Sequence, residues 1–408
     1  FQARQLGYTR YGIQGGNITF KESLLYLPED QIFAPENMGL LQAPENGNNG
    51  IGGFKLTDGT KYSDSYKAQS NLYAAYLMFD HRFENDMRLV WGVRMEHFTQ
   101  QLDAKKADNS DLNLKTQKLD FLPSLNYIYS ITKKQNLRFS YSQTLNRPEY
   151  RELAPFAFFD FTTNFVVSGN DSLQRAKINN LDLRYEVFQG RGQLISATLF
   201  YKHFTNPIEQ ISRPDVTSEI SYKNVSTAQN YGIELEARSL ISSIVKSDTG
   251  TFFDKLTIYT NLAVIRSIVD VSDVIGATDN TRPLQGQSPY VFNAGLYYNN
   301  PRYNWGLSVS VNKVGSRIAI VGNVNEPDLW ENSRTFLDIQ LSKSFWNNRA
   351  EFKLNAQNIL AQKQEFYQNV TTADDVKGVN GFFNTLFVGD KNNRSGLNNT
   401  DDIVWSTR

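Results

Sequence analysis

Alternation of apolar and polar residues with a period of two constrains the fold of this 408-residue chain more than any other feature. Because successive side chains of a β-strand point to opposite faces, each such run predicts a strand with one apolar and one polar face. Apolar residues at helical spacing are not sustained over the length of an ordinary helix. The chain is therefore predicted to be all-β. The clearest runs are 87–97, 137–141, 180–187, 231–239, 256–264, 305–311 and 337–341.

The connections between these runs alternate between short and long along the chain. An up-and-down meander with tight turns at one rim and long loops at the other has this pattern, which is the arrangement of an outer-membrane barrel with periplasmic turns and extracellular loops. Segmented this way, the sequence gives about fourteen strands. The connection 241–254 occupies a short-turn position but is longer. The short connections are 84–86, 132–135, 189–192, 299–302 and 347–349, and the long ones are 101–116, 147–178, 270–284, 321–333 and 363–402.

Strand length and aromatic placement also favour a membrane barrel over a soluble sandwich. The runs 193–206, 218–240 and 303–320 look continuous over a dozen or more residues, whereas strands of soluble sheets average about 5–6. Tyr and Phe gather near the ends of apolar faces, several beside short turns, as in the aromatic girdles of outer-membrane barrels. Aromatic residues are also good strand formers, which is the alternative explanation.

The composition excludes several classes of protein. No cysteine and three scattered histidines leave little for disulfides, a thiol nucleophile or a metal site, and 42 basic against 42 acidic residues speak against nucleic-acid binding. No run approaches the ~18 apolar residues of a transmembrane helix. The mean hydropathy of −0.47 fits a barrel, in which every second strand residue faces lipid. His81, His97 and His203 lack a partner serine in a nucleophile motif, so we expect no enzyme and no cofactor.

Charged residues follow one another on the predicted polar faces, which must therefore contact water. A hydrated barrel lumen supplies it, and the charges either pair across strands and contact a plug or guide a polar ligand. Asp374, Asp375, Asp401 and Asp402 lack the spacing of a defined calcium site, so a solvated loop is expected there. The predicted lumen-facing or plug-facing residues are Arg94, Glu96, Asp182, Arg184, Glu186, Glu234, Glu236 and Arg238.

The ends of the sequence predict a piece of a longer polypeptide. The first residues carry no initiator methionine and no signal peptide, and the last run, DDIVWSTR, stops as an apolar strand begins. Residues 1–64 are expected to hold a first strand piece and an extracellular loop. Residues 65–408 are expected to form the strand meander of a partial barrel.

Six segments resemble the barrel of TonB-dependent outer-membrane receptors, especially the type abundant in Bacteroidetes. The run Arg-Pro-Leu-Gln-Gly-Gln-Ser-Pro at 282–289 (RPLQGQSP) is a fairly specific marker of this resemblance. The similarity covers most of the chain after about residue 65 in order and spacing. The segments are 141–161 (YSQTLNRPEYRELAPFAFFDF), 178–188 (INNLDLRYEVF), 195–210 (ISATLFYKHFTNPIEQ), 224–238 (NVSTAQNYGIELEAR), 282–298 (RPLQGQSPYVFNAGLYY) and 336–360.

This resemblance implies a barrel of about 22 strands around a plug, of which the chain would be the C-terminal majority without plug or TonB box. It implies energy-dependent import of an extracellular nutrient such as a siderophore, oligosaccharide or peptide. The expected partners are outer-membrane lipid, the TonB complex through the plug, and a surface lipoprotein or other outer-membrane subunit. The alternative is a scaffolding barrel that holds partners without transport.

The long loop 147–178 is the predicted place of ligand contact, because long loops on rigid scaffolds commonly carry recognition. Aromatic and arginine side chains there suit stacking on sugars, peptides or catecholates. The same residues could instead fix the loop or contact the plug, with substrate identity lying in 103–115 and 366–399. The candidate ligand-binding residues are Arg147, Tyr150, Arg151, Phe156, Phe158 and Phe159.

Overall fold

The protein is described by a computed structural model. It covers residues 6–10, 18–28, 31, 34–45, 48–58, 61–84, 86–106, 108–160, 165–190, 192–213, 219–246, 252–271, 281–323, 327–368 and 402–407. The chain divides into two compact units. The first comprises Phe1–Ser70, Gln100–Lys115 and Ala154–Ala157, and the second comprises Asn71–Thr99, Thr116–Leu153 and Phe158–Arg408.

The described residues form twenty-six strands and a few short helical turns, so the all-β prediction is confirmed. No helix among them is long and apolar enough to cross a membrane. The helical turns are the 3-10 turns η1 (Glu22–Tyr26), η2 (Pro35–Asn37), η3 (Tyr62–Asp64) and η4 (Phe252–Lys255), and the helices α1 (Tyr150–Leu153) and α2 (Ile241–Val245). The strands are β1 (Leu6–Arg10), β2 (Ile18–Phe20), β3 (Leu40–Gln42), β4 (Gly50–Gly52), β5 (Phe54–Asp58), β6 (Tyr66–Phe83), β7 (Met87–Lys105), β8 (Asp111–Thr132), β9 (Gln135–Asn146), β10 (Ala157–Asp160), β11 (Phe165–Ser168), β12 (Ala176–Gly190), β13 (Gln193–Thr205), β14 (Ile208–Ser212), β15 (Glu219–Asn224), β16 (Thr227–Leu240), β17 (Leu256–Asp270), β18 (Thr281–Arg282), β19 (Tyr290–Asn300), β20 (Trp305–Val314), β21 (Arg317–Ile320), β22 (Leu329–Glu331), β23 (Arg334–Phe345), β24 (Ala350–Ala356), β25 (Gln364–Gln368) and β26 (Asp402–Thr407).

The largest sheet has thirteen strands, and twelve of them follow one path from β6 to β24. Its order is β6-β7-β8-β9-β12-β13-β16-β17-β19-β20-β23-β24, with β18 beside β17. Pairings from β8 onward are antiparallel, as a meander requires. The register places Leu183 opposite Leu199 and Arg184 opposite Thr198, so the apolar and polar faces continue from strand to strand.

The short connections turn where the sequence predicts. Asp86, Gly192 and Asn304 have φ values of 56°, 68° and 52°, and residues 346–348 have φ values of 49°, 56° and 65°. Such left-handed conformations suit the tight turns between antiparallel strands. The longer connection 241–254 holds α2 and part of η4, which explains its extra length in a short-turn position.

Two small sheets form on the long connections of the second unit. One has the order β10-β11-β15-β14, and the other has the order β21-β22-β25-β26. Ile211 and Val321 form a parallel bridge between them. The two sheets therefore share one hydrophobic core rather than behaving as separate loops. That core contains the buried residues Val167, Ile220, Ile320, Leu329 and Phe366.

Expectations for four long segments need correction. The run 218–240 is broken after β15, and 303–320 is broken after β20, because β15 and β21 leave the main sheet to join the small sheets. The segment 147–178 is not a plain loop, since it holds α1, β10 and β11. The predicted loop 101–116 is largely the tip of a tall hairpin formed by β7 and β8.

The first unit contains two further sheets, β1-β5 and β2-β4-β3. The rings of Phe20 and Phe54 pack edge to face at 5.3 Å between centroids. Gly53 is required there, because a Cβ at this position would lie 2.2 Å from the carbonyl oxygen of Asn37. Leu102, in the part of β7 that belongs to this unit, is fully buried.

Candidate functional site

Ion pairs occupy the middle of the polar face of the main sheet. Period-two alternation and antiparallel register bring β9, β12, β13 and β16 together, so charges far apart in sequence become neighbours. Arg184 Nε donates to Glu186 Oε1 at 2.8 Å, and its terminal nitrogen donates to Glu236 Oε2 at 2.8 Å. Arg138 Nε lies 2.8 Å from the second oxygen of Glu186. The cross-strand pairing predicted for these charges is therefore present.

A shallow groove of about 370 Å³ opens on these ion pairs. Both signs of charge face into it, together with amide and hydroxyl groups, so it can hold water or a polar group. Apolar side chains do not line it. The lining residues are Asn126, Arg138, Ser140, Asp182, Arg184, Glu186, Thr198 and Glu234.

The other face of the same strands is apolar and exposed. Leu183, Leu199 and Leu235 are exposed to 41%, 54% and 44%, whereas Glu186 on the polar face is buried. A soluble sheet buries its apolar face, so this arrangement is inverted with respect to a soluble protein. Lipid is the environment that would cover such a surface.

A second chain of ion pairs joins the segment that follows β9 to strands β7 and β8. Glu96 accepts a hydrogen bond from Arg94 Nε at 2.7 Å and one from Arg147 at 2.7 Å. Arg147 also lies 3.9 Å from Asp120, which Arg175 contacts at 2.6 Å. The guanidinium of Arg147 sits over the ring of Phe98, 4.6 Å from its centroid. Arg147 thus holds its segment against the sheet.

The six candidate ligand residues have different surroundings. Arg147 is engaged by carboxylates, and Phe156 is buried with its ring 6.1 Å from that of Tyr66. Arg151 stacks on the ring of Phe158, with Cζ 4.0 Å from the centroid. Phe159 is exposed, and Tyr150 in α1 is half-buried. A ligand role for these residues stays a prediction.

The remaining predicted lumen residues also lie on the polar face. Asp182 and Glu234 line the groove, and Arg94 and Glu96 belong to the second chain of ion pairs. Arg238 is opposite Leu194 and Tyr259 in the register of β16. Whether any of them contacts a plug stays a prediction.

Sequence reasoning missed a buried ion pair between the small sheets and β18. Arg282 donates to both oxygens of Glu209 at 2.9 and 2.6 Å, and Glu209 also accepts the backbone N–H of Gln285 at 2.9 Å. Gln285 accepts the N–H of Gln210 at 2.6 Å and donates to the carbonyl of Ala319 at 2.5 Å. The RPLQGQSP run therefore links β14 and β21 to β18.

Burial alters two pKa values in this region. Burial alone would lower the pKa of Arg282, but its hydrogen bonds with Glu209 and the charge of that carboxylate raise the pKa above its usual value. Burial raises the pKa of Asp328, although the N–H of Gly322 at 2.8 Å and the nearby Arg282 oppose the shift. Arg282 therefore stays a cation, while Asp328 is held less readily as an anion.

The histidines show no catalytic arrangement in the part of the chain that the structure describes. His97 contacts Gln117 at 2.9 Å and stacks against Tyr73, and His81 stacks between Phe79 and Phe83. His203 lies opposite Gln229 in the sheet. The same residues contain no group of three His, Asp or Glu that could hold a metal ion. Asp374, Asp375 and Asp401 lie outside the described residues, as does the side chain of Asp402.

A long antiparallel meander with a charged inner face and an exposed apolar face defines an outer-membrane β-barrel protein. The sequence matches the outer membrane protein beta-barrel family over residues 45–384, and the chain belongs to that family. It is accordingly a protein of the Gram-negative outer membrane. No curated protein sequence matches it significantly.

Solved structures of import receptors share the fold. The ferric-catecholate import receptor Fiu from E. coli K12 is 16% identical with a TM-score of 0.53, over 76% of this chain and 43% of its own. The ferric citrate transporter FecA is 15% identical with a TM-score of 0.55, over 77% and 44%. The ferric yersiniabactin uptake receptor FyuA from Yersinia pestis is 17% identical with a TM-score of 0.53, over 74% and 42%. The chain thus spans less than half the length of these receptors.

Proposed function

We propose that this chain is part of a TonB-dependent receptor that imports a nutrient across the outer membrane. The observation that carries the proposal is the charged, groove-bearing face of a sheet whose other face is apolar and exposed. In a closed barrel that face would line a hydrated path for a polar ligand. The fold shared with Fiu, FecA and FyuA supports the same class of function.

The finer features of the receptor follow from the sequence segments that resemble the Bacteroidetes type. We place the chain in the C-terminal part of the barrel, with the plug and the TonB contact supplied by another part of the same protein. TonB would use the inner-membrane proton gradient to displace the plug. The chemistry of the receptor is binding and passage, with no covalent step and no catalytic residue.

Uptake by cells that carry or lack TonB tests the proposal. Radiolabelled ferric catecholates, ferric citrate, oligosaccharides and peptides are offered to cells that express the complete gene and to cells in which it is deleted. We expect one class of compound to enter only when both this gene and TonB are present. Import would be contradicted if neither deletion changed the uptake of any class of compound.

A scaffolding barrel is the second candidate, and the small sheets favour it. Their shared core and the buried Glu209–Arg282 pair give the long connections a defined structure that could hold a partner such as a surface lipoprotein. Purification from native membranes distinguishes the two functions. Stoichiometric partners covering the long-loop rim, together with unchanged uptake in the deletion strain, would favour the scaffold.

A further inference from the structure

The connection between β16 and β17 contains more structure than a tight turn needs. It lies at the rim of short turns, where α2 follows β16 directly and η4 precedes β17. The two elements contact each other, and η4 also contacts β19. A two-residue to five-residue turn would be enough to join neighbouring antiparallel strands.

Helix α2 exposes two branched apolar residues at its C-terminal end. Ser242 is buried, and Ser243, which is itself exposed, accepts a hydrogen bond from Gln193 Nε2 at 2.8 Å, so both serines are held to the protein. Ile244 and Val245 are exposed to 60% and 52%. A short helix that faces only water would ordinarily turn such branched apolar side chains toward the protein. The helix thus exposes apolar surface while its serines hold it in place.

The same apolar surface continues through η4 onto the lipid-facing side of the sheet. Phe252 and Phe253 are exposed, and the ring of Phe252 packs on Tyr298 with 5.2 Å between centroids. Tyr298 pairs with Leu256 and Leu307, both on the apolar face. The surface of α2 and η4 is therefore continuous with the surface that the membrane covers.

Aromatic and basic side chains mark the level of the lipid headgroups at this rim. Lys343 lies over the ring of Trp305, 5.0 Å from its centroid, and Trp346 in the neighbouring turn is exposed. Aromatic rings and lysines with apolar stems are favoured at the membrane–water interface. Lys246 follows α2, and Lys255 ends η4, so a lysine stands at the C-terminal end of each apolar element.

We propose that α2 and η4 form an interfacial foot that inserts into the phospholipid headgroup layer of the periplasmic leaflet. Ile244, Val245, Phe252 and Phe253 enter the boundary between headgroups and acyl chains, and Lys246 and Lys255 contact the phosphates of anionic phospholipids. An apolar surface flanked by lysines is the arrangement with which short amphipathic helices bind such membranes. The foot depends on the outer-membrane location of the protein and not on transport.

Fluorescence quenching in lipid nanodiscs tests the foot on the complete protein. Because the chain has no cysteine, Val245→Cys and Phe253→Cys each give one labelling site within it, and Lys133→Cys in the turn between β8 and β9 is the matched control. Each variant carries an environment-sensitive fluorophore. Iodide quenches it from water, and a phospholipid with a nitroxide headgroup quenches it from the membrane surface.

We expect iodide quenching at positions 245 and 253 to be at least about threefold weaker than at position 133, with strong quenching by the nitroxide lipid. In discs rich in anionic phospholipid, exchange of Lys246 and Lys255 for Gln should weaken the quenching by the nitroxide lipid at positions 245 and 253. Exchange of Lys133 and Lys134 for Gln should leave that quenching unchanged. Iodide quenching equal to that of the control would overturn the proposal. The proposal would also be overturned if positions 245 and 253 were protected from iodide only in discs that hold two copies of the protein, or only after a periplasmic protein is added.

Discussion

Arg282 and Glu209 form a two-point ion pair across 73 residues of sequence, with N–O distances of 2.9 and 2.6 Å. Glu209 is 1% exposed, and its carboxylate also accepts the N–H of Gln285. The pair joins the small sheet that contains β14 to the start of the RPLQGQSP run. It therefore determines how the long connections are held to the rest of the second unit.

Removal of the arginine should loosen the small sheets. Arg282→Met leaves Glu209 buried and unpaired, so we expect a loss of about 3–5 kcal/mol in the local stability of β14 and β15. Hydrogen exchange of their backbone amides measures it. Arg213→Met is the control, because the Arg213–Glu219 pair is partly exposed and should contribute only about 0–1 kcal/mol. Equal loss of protection in both variants would contradict a special role for the buried pair.

The segment that follows β9 should depend on Arg147. Arg147→Met removes a charged hydrogen bond to Glu96, while Arg94 remains on that carboxylate, so we expect a loss of about 1.5–3 kcal/mol in local stability. Limited proteolysis should then cleave within α1 and β10 faster than in the unaltered protein. Arg88→Met removes an exposed pair with Asp80 and should leave the cleavage rate unchanged. Unaltered cleavage in Arg147→Met would show that the contacts do not hold the segment.

The raised pKa of Asp328 predicts that the stability of its surroundings falls as the pH rises. Below the ordinary aspartate pKa the group is protonated in both the folded and the unfolded state, so burial carries no penalty. Between the ordinary and the raised pKa the unfolded state loses its proton first, which favours unfolding. Asp328→Asn should remove this dependence and be more stable at neutral pH, because an amide oxygen can still accept the N–H of Gly322. Hydrogen exchange of β22 across the acidic range measures it, and an identical pH profile for both proteins would refute it.

Gly295 allows the ring of Tyr259 to lie flat on β19. A Cβ at Gly295 would lie 2.0 Å from Cε1 of Tyr259, whose ring also stacks on Tyr297 with 5.3 Å between centroids. We expect Gly295→Ala to cost about 1–3 kcal/mol of unfolding free energy. The cost should shrink when Tyr259→Ala is present, so a double-mutant cycle in urea should show coupling. Strict additivity would mean that the ring does not restrict the glycine.

The main sheet and its polar face could be predicted because alternation is a local property of the sequence. Asp182, Arg184 and Glu186 are two residues apart, so they share one face of any strand that contains them. The short turn that follows β12 then fixes the register with β13, and antiparallel pairing in the meander places β9 on the other side of β12. The presence of the groove follows from these two facts.

The contacts of the long connections could not be predicted, since they join residues without a repeating pattern. Glu209 and Arg282 meet only because β14 and β18 leave the meander, and nothing periodic in the sequence shows where they pack. Arg147 was predicted either to contact a ligand or to fix its loop or contact the plug; its guanidinium lies among carboxylates of β7 and β8, as fixing the loop requires, and the ligand role stays a prediction. The only sequence signal near this pair was the RPLQGQSP run as a marker of the family resemblance.

Cysteine scanning along β12 tests most directly the claim that the charged face lines a hydrated path while the apolar face meets lipid. The 408 residues contain no cysteine, so single cysteines are introduced at residues 180–187 of the complete protein. Native outer membranes that contain each variant are then treated with a small membrane-impermeant thiol reagent. We expect labelling at the even positions, which include Asp182 and Arg184, and protection at the odd positions, which include Leu181 and Leu183. Uniform labelling along the strand, or labelling of the odd positions alone, would contradict it.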